Sequence, residues 1–178
     1  MIIGTVKEIK TGENRVGLTP AGAGLVAKSG HSVLVESNAG KNSGFSDGEY
    51  AKQGAQIVTT AAAVWKKADM VVKVKEPLQQ EFDHLRRDLI LFTYLHLAAE
   101  EKVTQVLLAN GVAGVAYETV ELDDESLPLL TPMSEVAGRM AVQIGMHYLE
   151  RTHGGSGKLL AGVPGVMPAT VTIIGSGV

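Results

Sequence analysis

Along the first 120 residues, short aliphatic runs alternate with stretches that read as helices. The runs are apolar throughout instead of alternating apolar and polar. Strands of this kind are covered on both faces, the mark of a parallel sheet with helices on either side. Strands are predicted over residues 2–9, 31–36, 55–58, 70–74, 89–94 and 112–117, and helices over 20–29, 61–67, 78–85 and 98–109. A further short helix opens at the capping box Ser46-Asp47-Gly48-Glu49. Thr19 caps the first helix, Pro20 takes its first position and Gly30 stops it. The expected fold class is α/β, a doubly wound parallel sheet.

Composition excludes several function classes. The 178 residues carry 16 Lys+Arg against 19 Asp+Glu, a net charge of −3, with no basic run to suggest a nucleic-acid partner. Cysteine is absent, which removes disulfides, thiolate metal sites and cysteine nucleophiles. No apolar run approaches the ~18 residues of a membrane span. The N-terminus reads directly as a strand, not as a targeting segment.

From Leu122 the pattern changes. Residues 123–128 form a polar connection, and Ser134 is read as the cap of a long helix over 135–151. Gly138 and Gly145, seven apart, would let a neighbouring backbone approach one face of it. A turn-rich bridge follows over 163–168. Residues 171–174 then read as one more strand, leading into Gly175-Ser176-Gly177. Gly-x-Gly after an apolar strand resembles the opening of the dinucleotide-binding fingerprint, whose glycines admit a pyrophosphate to the next helix N-terminus. The third glycine would fall beyond Val178, so the chain is read as the front part of a longer protein.

Ligands of open parallel sheets bind outside the carboxyl ends of the strands. Arg15, Lys73, Lys75, His96 and Glu118 all follow predicted strands. An arginine fork matches a carboxylate, a lysine can polarise a carbonyl oxygen, and a histidine carries a proton near neutrality. Each has a competing reading. A loop arginine or lysine is most often a solvated charge, His96 between Leu95 and Leu97 equally fits a core histidine, and Glu118 better fits a structural or surface group. Ser134 is first a helix cap, and a capped helix start is also an anion site. His31, His84, His147 and His153 are assigned to surface or packing.

Several segments together resemble the family of alanine dehydrogenase and the proton-translocating nicotinamide nucleotide transhydrogenases. They are residues 4–20, with Glu13-Asn14-Arg15-Val16-Gly17-Leu18-Thr19-Pro20, then Val74-Lys75-Glu76-Pro77, Tyr94-Leu95-His96-Leu97, Ala116-Tyr117-Glu118-Thr119 and Pro132-Met133-Ser134-Glu135. The third and fifth favour the dehydrogenase branch. Thr5-Val6 and Gly17 depart from the family's usual Val-Pro and Ala, which is expected to alter rigidity and not chemistry.

The resemblance implies a Rossmann-like substrate domain over 1–134, a connecting helix and loop over 135–170, and the start of an NAD-binding domain over 171–178. It implies reversible NAD-dependent oxidative deamination of L-alanine to pyruvate and ammonia by the full-length protein, a cytoplasmic homohexamer with no metal. By the same resemblance Arg15 holds the substrate carboxylate, Lys75 hydrogen-bonds the substrate, and His96 is the acid/base. Tyr94 and Met133 line the pocket, and Ser134, Gly175 and Gly177 face the cofactor. The 178 residues alone are expected to be inactive. Two alternatives stay open, a non-catalytic assembly or binding domain and the related transhydrogenase domain.

Overall fold

A computed structural model describes residues 1–175 and falls into two compact units, Met1–Val120 and Glu121–Val178. Gly177 lies outside the described residues.

The first unit is built on six strands: β1 (Ile2–Thr5), β2 (Ser32–Glu36), β3 (Gln56–Val58), β4 (Met70–Val72), β5 (Ile90–Thr93) and β6 (Ala113–Ala116). Every pairing is parallel, in the order β3-β2-β1-β4-β5-β6. The helices are α1 (Pro20–Lys28), α2 (Asp47–Lys52), α3 (Ala61–Lys67) and α4 (Glu101–Asn110). The doubly wound α/β expectation therefore holds. Side chains of β2 show why its sequence lacks alternation. Val33 and Val35 enter one core with Ala23, Tyr50 and Ala55, while Leu34 enters the other with Val64, Trp65, Leu91 and Leu107.

Local chemistry sets the helix ends. The Gly22 N–H donates to Thr19 Oγ1 at 3.2 Å, and Pro20 needs no partner at the first position. The Ser46 N–H donates to Glu49 Oε2 at 2.7 Å, closing the capping box. The stretch expected as a helix near residues 78–85 is instead a 3₁₀ segment, Gln79–His84. There the Glu81 carboxylate accepts the Leu78 N–H at one oxygen and Lys73 Nζ at the other.

Lys73 is fully buried, with Nζ 2.9 Å from Glu81 and 3.2 Å from Glu8. It is a structural cation locking β4 to the segment after β1, not a site residue. Thr5 shows the same economy: its hydroxyl donates to the Val72 carbonyl at 2.9 Å, so a polar side chain is satisfied in the sheet interior.

The second unit holds α5 (Thr131–Leu149). This corrects the start read at Ser134. The helix begins four residues earlier than expected because Pro132 sits in its first turn, and the Ser134 N–H already donates to the Leu130 carbonyl. Ser134 is inside the helix and does not cap it. A Cβ built at Gly138 or Gly145 meets nothing within 4 Å, so neither serves a close approach among the described residues. Val163 and Val166 exchange both backbone hydrogen bonds around Pro164-Gly165, with Gly165 at φ +86°, a type II turn. Among the described residues no ladder partner meets the stretch expected as a strand over residues 171–174, and Ile173 and Ile174 are exposed.

Candidate active site

The strand order reverses between β1 and β4. To one side the chain winds outward through β2 and β3, to the other through β5 and β6. Connections leave in opposite directions there, opening a crevice at the strand carboxyl ends. Arg15 lies in the loop after β1, Lys75 three residues after β4, and Tyr94 and His96 directly after β5. Both edges of the crevice thus carry expected site residues.

Arg15 is held by Glu13. Its Nε donates to Glu13 Oε1 at 2.8 Å and Nη2 to Oε2 at 2.6 Å, while the Arg15 backbone N–H donates to Oε1 at 2.8 Å. The side-chain hydrogen bonds from Arg15 hold the Glu13 carboxyl down at about 2, helped by the charges of Arg15 and Lys75. The hydrogen bond to Glu13 in turn raises Arg15, with a further contribution from Tyr94. Gly17 lets this loop lie on β4, because a Cβ there would stand 2.6 Å from the Val72 carbonyl oxygen.

Lys75 is half-buried. Its carbonyl accepts the Thr93 hydroxyl at 2.9 Å, and the Tyr94 N–H donates to the Val74 carbonyl at 3.3 Å. These bonds tie the chain after β4 to the chain after β5 and set Lys75 beside Tyr94. The Tyr94 and His96 rings stack at 6.0 Å and 12°, and the Tyr117 ring meets Tyr94 edge-on at 5.0 Å. Burial raises the Tyr94 phenol, Arg15 draws it down and Glu118 adds to the rise. Burial also pushes Tyr117 up. Both phenols are therefore neutral hydrogen-bonding groups near pH 7.

His96 is exposed, which removes the core-histidine reading. It holds φ +50°, a conformation disfavoured for a residue with a Cβ. Glu118 secures it: Oε1 accepts the N–H of Leu95 at 3.1 Å and of His96 at 2.7 Å. Glu118 thus shapes the backbone under His96, a role that a carboxylate following a strand gives no local sign of. Glu13 was likewise missed as a partner of Arg15, although it lies two residues before it.

Met133, Ser134 and Gly175 belong to the second unit. Met133 and Ser134 are half-buried near the start of α5, and Gly175 has φ +98°.

The model of the alanine dehydrogenase/PNT N-terminal domain matches residues 4–137, and that of the corresponding C-terminal domain matches residues 141–178. The chain belongs to the alanine dehydrogenase/PNT family. Among relatives in that family, an alanine dehydrogenase of Staphylococcus saprophyticus is 58% identical over 99% of this chain and 47% of its own length. Alanine dehydrogenase 2 of Staphylococcus aureus is 57% identical with the same coverage. The chain therefore spans about half the length of the curated relatives it matches. A solved L-alanine dehydrogenase superposes with TM-score 0.82 at 53% identity, covering 94% of this chain and 46% of the other. A transhydrogenase from Sinorhizobium meliloti is more distant, at TM-score 0.63 and 30% identity over 66% of this chain and 34% of its own. The dehydrogenase branch of the alanine dehydrogenase/PNT family is the nearer of the two.

Proposed function

We propose that the crevice at the carboxyl ends of β1, β4 and β5 is the substrate site of an NAD-dependent L-alanine dehydrogenase, active in the full-length protein. The observation that carries this reading is the approach of a braced arginine, a lysine and an exposed histidine to one sheet edge. Three such groups match a substrate with a carboxylate, an oxygen that must be polarised and a proton that must move.

In the direction of deamination, alanine with its amino group as the free amine loses a hydride from Cα and becomes an iminium; water adds to that carbon and gives up a proton; the nitrogen then takes a proton, the new hydroxyl loses one, and ammonia leaves to give pyruvate. NAD supplies the hydride acceptor. Its fit to this chain rests on Gly175, whose positive φ suits the turn of a dinucleotide fingerprint. The fingerprint's Gly177 and the hydroxyl of Ser134 are proposed to meet the cofactor. Arg15 binds the substrate carboxylate, with its orientation limited by Glu13. Lys75 donates a hydrogen bond to the oxygen that water brings and that pyruvate keeps. His96 takes the proton from the attacking water, passes it to the departing nitrogen and then takes the hydroxyl proton, with the same transfers reversed in amination. Tyr94 lines the pocket.

The same reading takes residues 1–134 as the substrate domain, 135–170 as a connection and 171–178 as the start of the nucleotide domain, in a cytoplasmic homohexamer. Among the described residues no helix is long and apolar enough to cross a membrane. The test is alanine-dependent NADH formation by the full-length protein, with pyruvate and ammonia driving the reverse. Absence of both reactions in folded protein would overturn the reading.

A further inference from the structure

The second unit carries a side-chain cluster that the dehydrogenase reading does not use. His147 lies in the last turn of α5, Glu150 follows as the chain leaves the helix, and His153 sits in the single 3₁₀ turn Arg151–His153. The spacing is regular, His-x-x-Glu-x-x-His. The turn folds His153 back over the helix end, bringing the two imidazole centroids to 3.7 Å with a 33° tilt. Glu150 Oε2 is 3.3 Å from His153 Nδ1.

The turn that does this is built with glycine. Gly154 holds φ +83°, the Gly155 N–H donates to the Glu150 carbonyl at 2.9 Å, and the Gly157 N–H donates to the Leu149 carbonyl at 2.7 Å. A Cβ at Gly155 would stand 2.2 Å from the Tyr148 carbonyl oxygen, so another residue there would open the turn.

One nitrogen from each ring and one carboxylate oxygen all lie within 4.8 Å of one another. We propose that His147, Glu150 and His153 form a surface site for a divalent transition-metal ion, with zinc as the representative. Metal–ligand bonds of about 2.0–2.2 Å place tetrahedral ligands roughly 3.3–3.6 Å apart. Rotamer adjustment of exposed side chains closes the remaining gap. Two imidazoles with one carboxylate form a set that takes zinc, cobalt or nickel in preference to magnesium, which favours oxygen ligands and near-octahedral hydration. Three protein ligands leave a coordination position for water. The two rings face each other at the end of α5, where the helix carbonyls also favour a positive charge.

Calorimetric titration of the purified chain with zinc, in a buffer that does not coordinate metal, tests the site. The expected result is one zinc per chain, with His153→Asn weakening binding on the order of 10–100-fold. The double variant H147A/H153A abolishes it, whereas His31→Asn and His84→Asn leave it unchanged. None of the four positions is among the residues given roles in catalysis, and circular dichroism checks that each variant keeps its helix content. Imidazole proton resonances of His147 and His153 shift together on zinc addition. Zinc uptake that is absent, equal in the double variant, or matched by magnesium overturns the proposal.

Discussion

Glu118 Oε1 accepts the backbone N–H of His96 at 2.7 Å while His96 holds φ +50°. The carboxylate offsets a backbone conformation that the histidine alone would not favour. Glu118 is a positioning residue, acting on the ring through the chain beneath it. Glu118→Ala is expected to leave the sheet intact and lower kcat by about 10²-fold, the scale of a group misplaced by ~1 Å. Glu118→Gln keeps an acceptor and should recover part of that loss. Steady-state kinetics of both variants check this, and a purely structural role would show as lost thermal stability with unchanged kcat.

The Glu13 carboxyl is held at about 2, well below its ordinary 4.5, by the hydrogen bonds from Arg15. A depressed folded-state value means that the ionised form stabilises the fold above 4.5 and that this contribution fades as the pH falls toward 2. Glu13→Gln should therefore lower stability near neutrality, and its deficit against the parent should shrink across that window. Denaturant unfolding at several pH values reads it out. The same variant frees the orientation of Arg15 and should raise KM for alanine more than it lowers kcat.

Lys73 lies fully buried between Glu8 and Glu81. Lys73→Met leaves two carboxylates buried without their cation, and breaking such a network costs about 3–5 kcal/mol. Adding Glu8→Gln and Glu81→Gln should restore part of this, because neutral amides are easier to bury. Urea unfolding of the single and triple variants gives the comparison.

Much of the fold was legible because its strands lack alternation: residues such as Val33, Leu34 and Val35 cannot all be buried in a sheet with one wet face. Strand order was not legible, since no local pattern tells β4 to pair with β1 and not with β3. The position of Arg15, Lys75 and His96 after strands was visible, but the sign of each environment was not. Lys73 and Lys75, two residues apart, differ completely, one enclosed by carboxylates and the other at the crevice. The part played by Glu118 is a backbone contact across 22 residues and leaves no trace in spacing. At Ser134 two helix-start signals competed, and Pro132 prevailed because proline fits the first turn but not the interior.

On the proposed function, His96 moves the proton at a small-acid site. The most direct measurement is turnover of L-alanine by the full-length protein carrying His96→Ala, beside the parent. The expected kcat is lower by roughly 10²–10⁴-fold, the usual cost of losing a general acid/base, with the unfolding midpoint unchanged. Turnover equal to the parent's in the folded variant would contradict it.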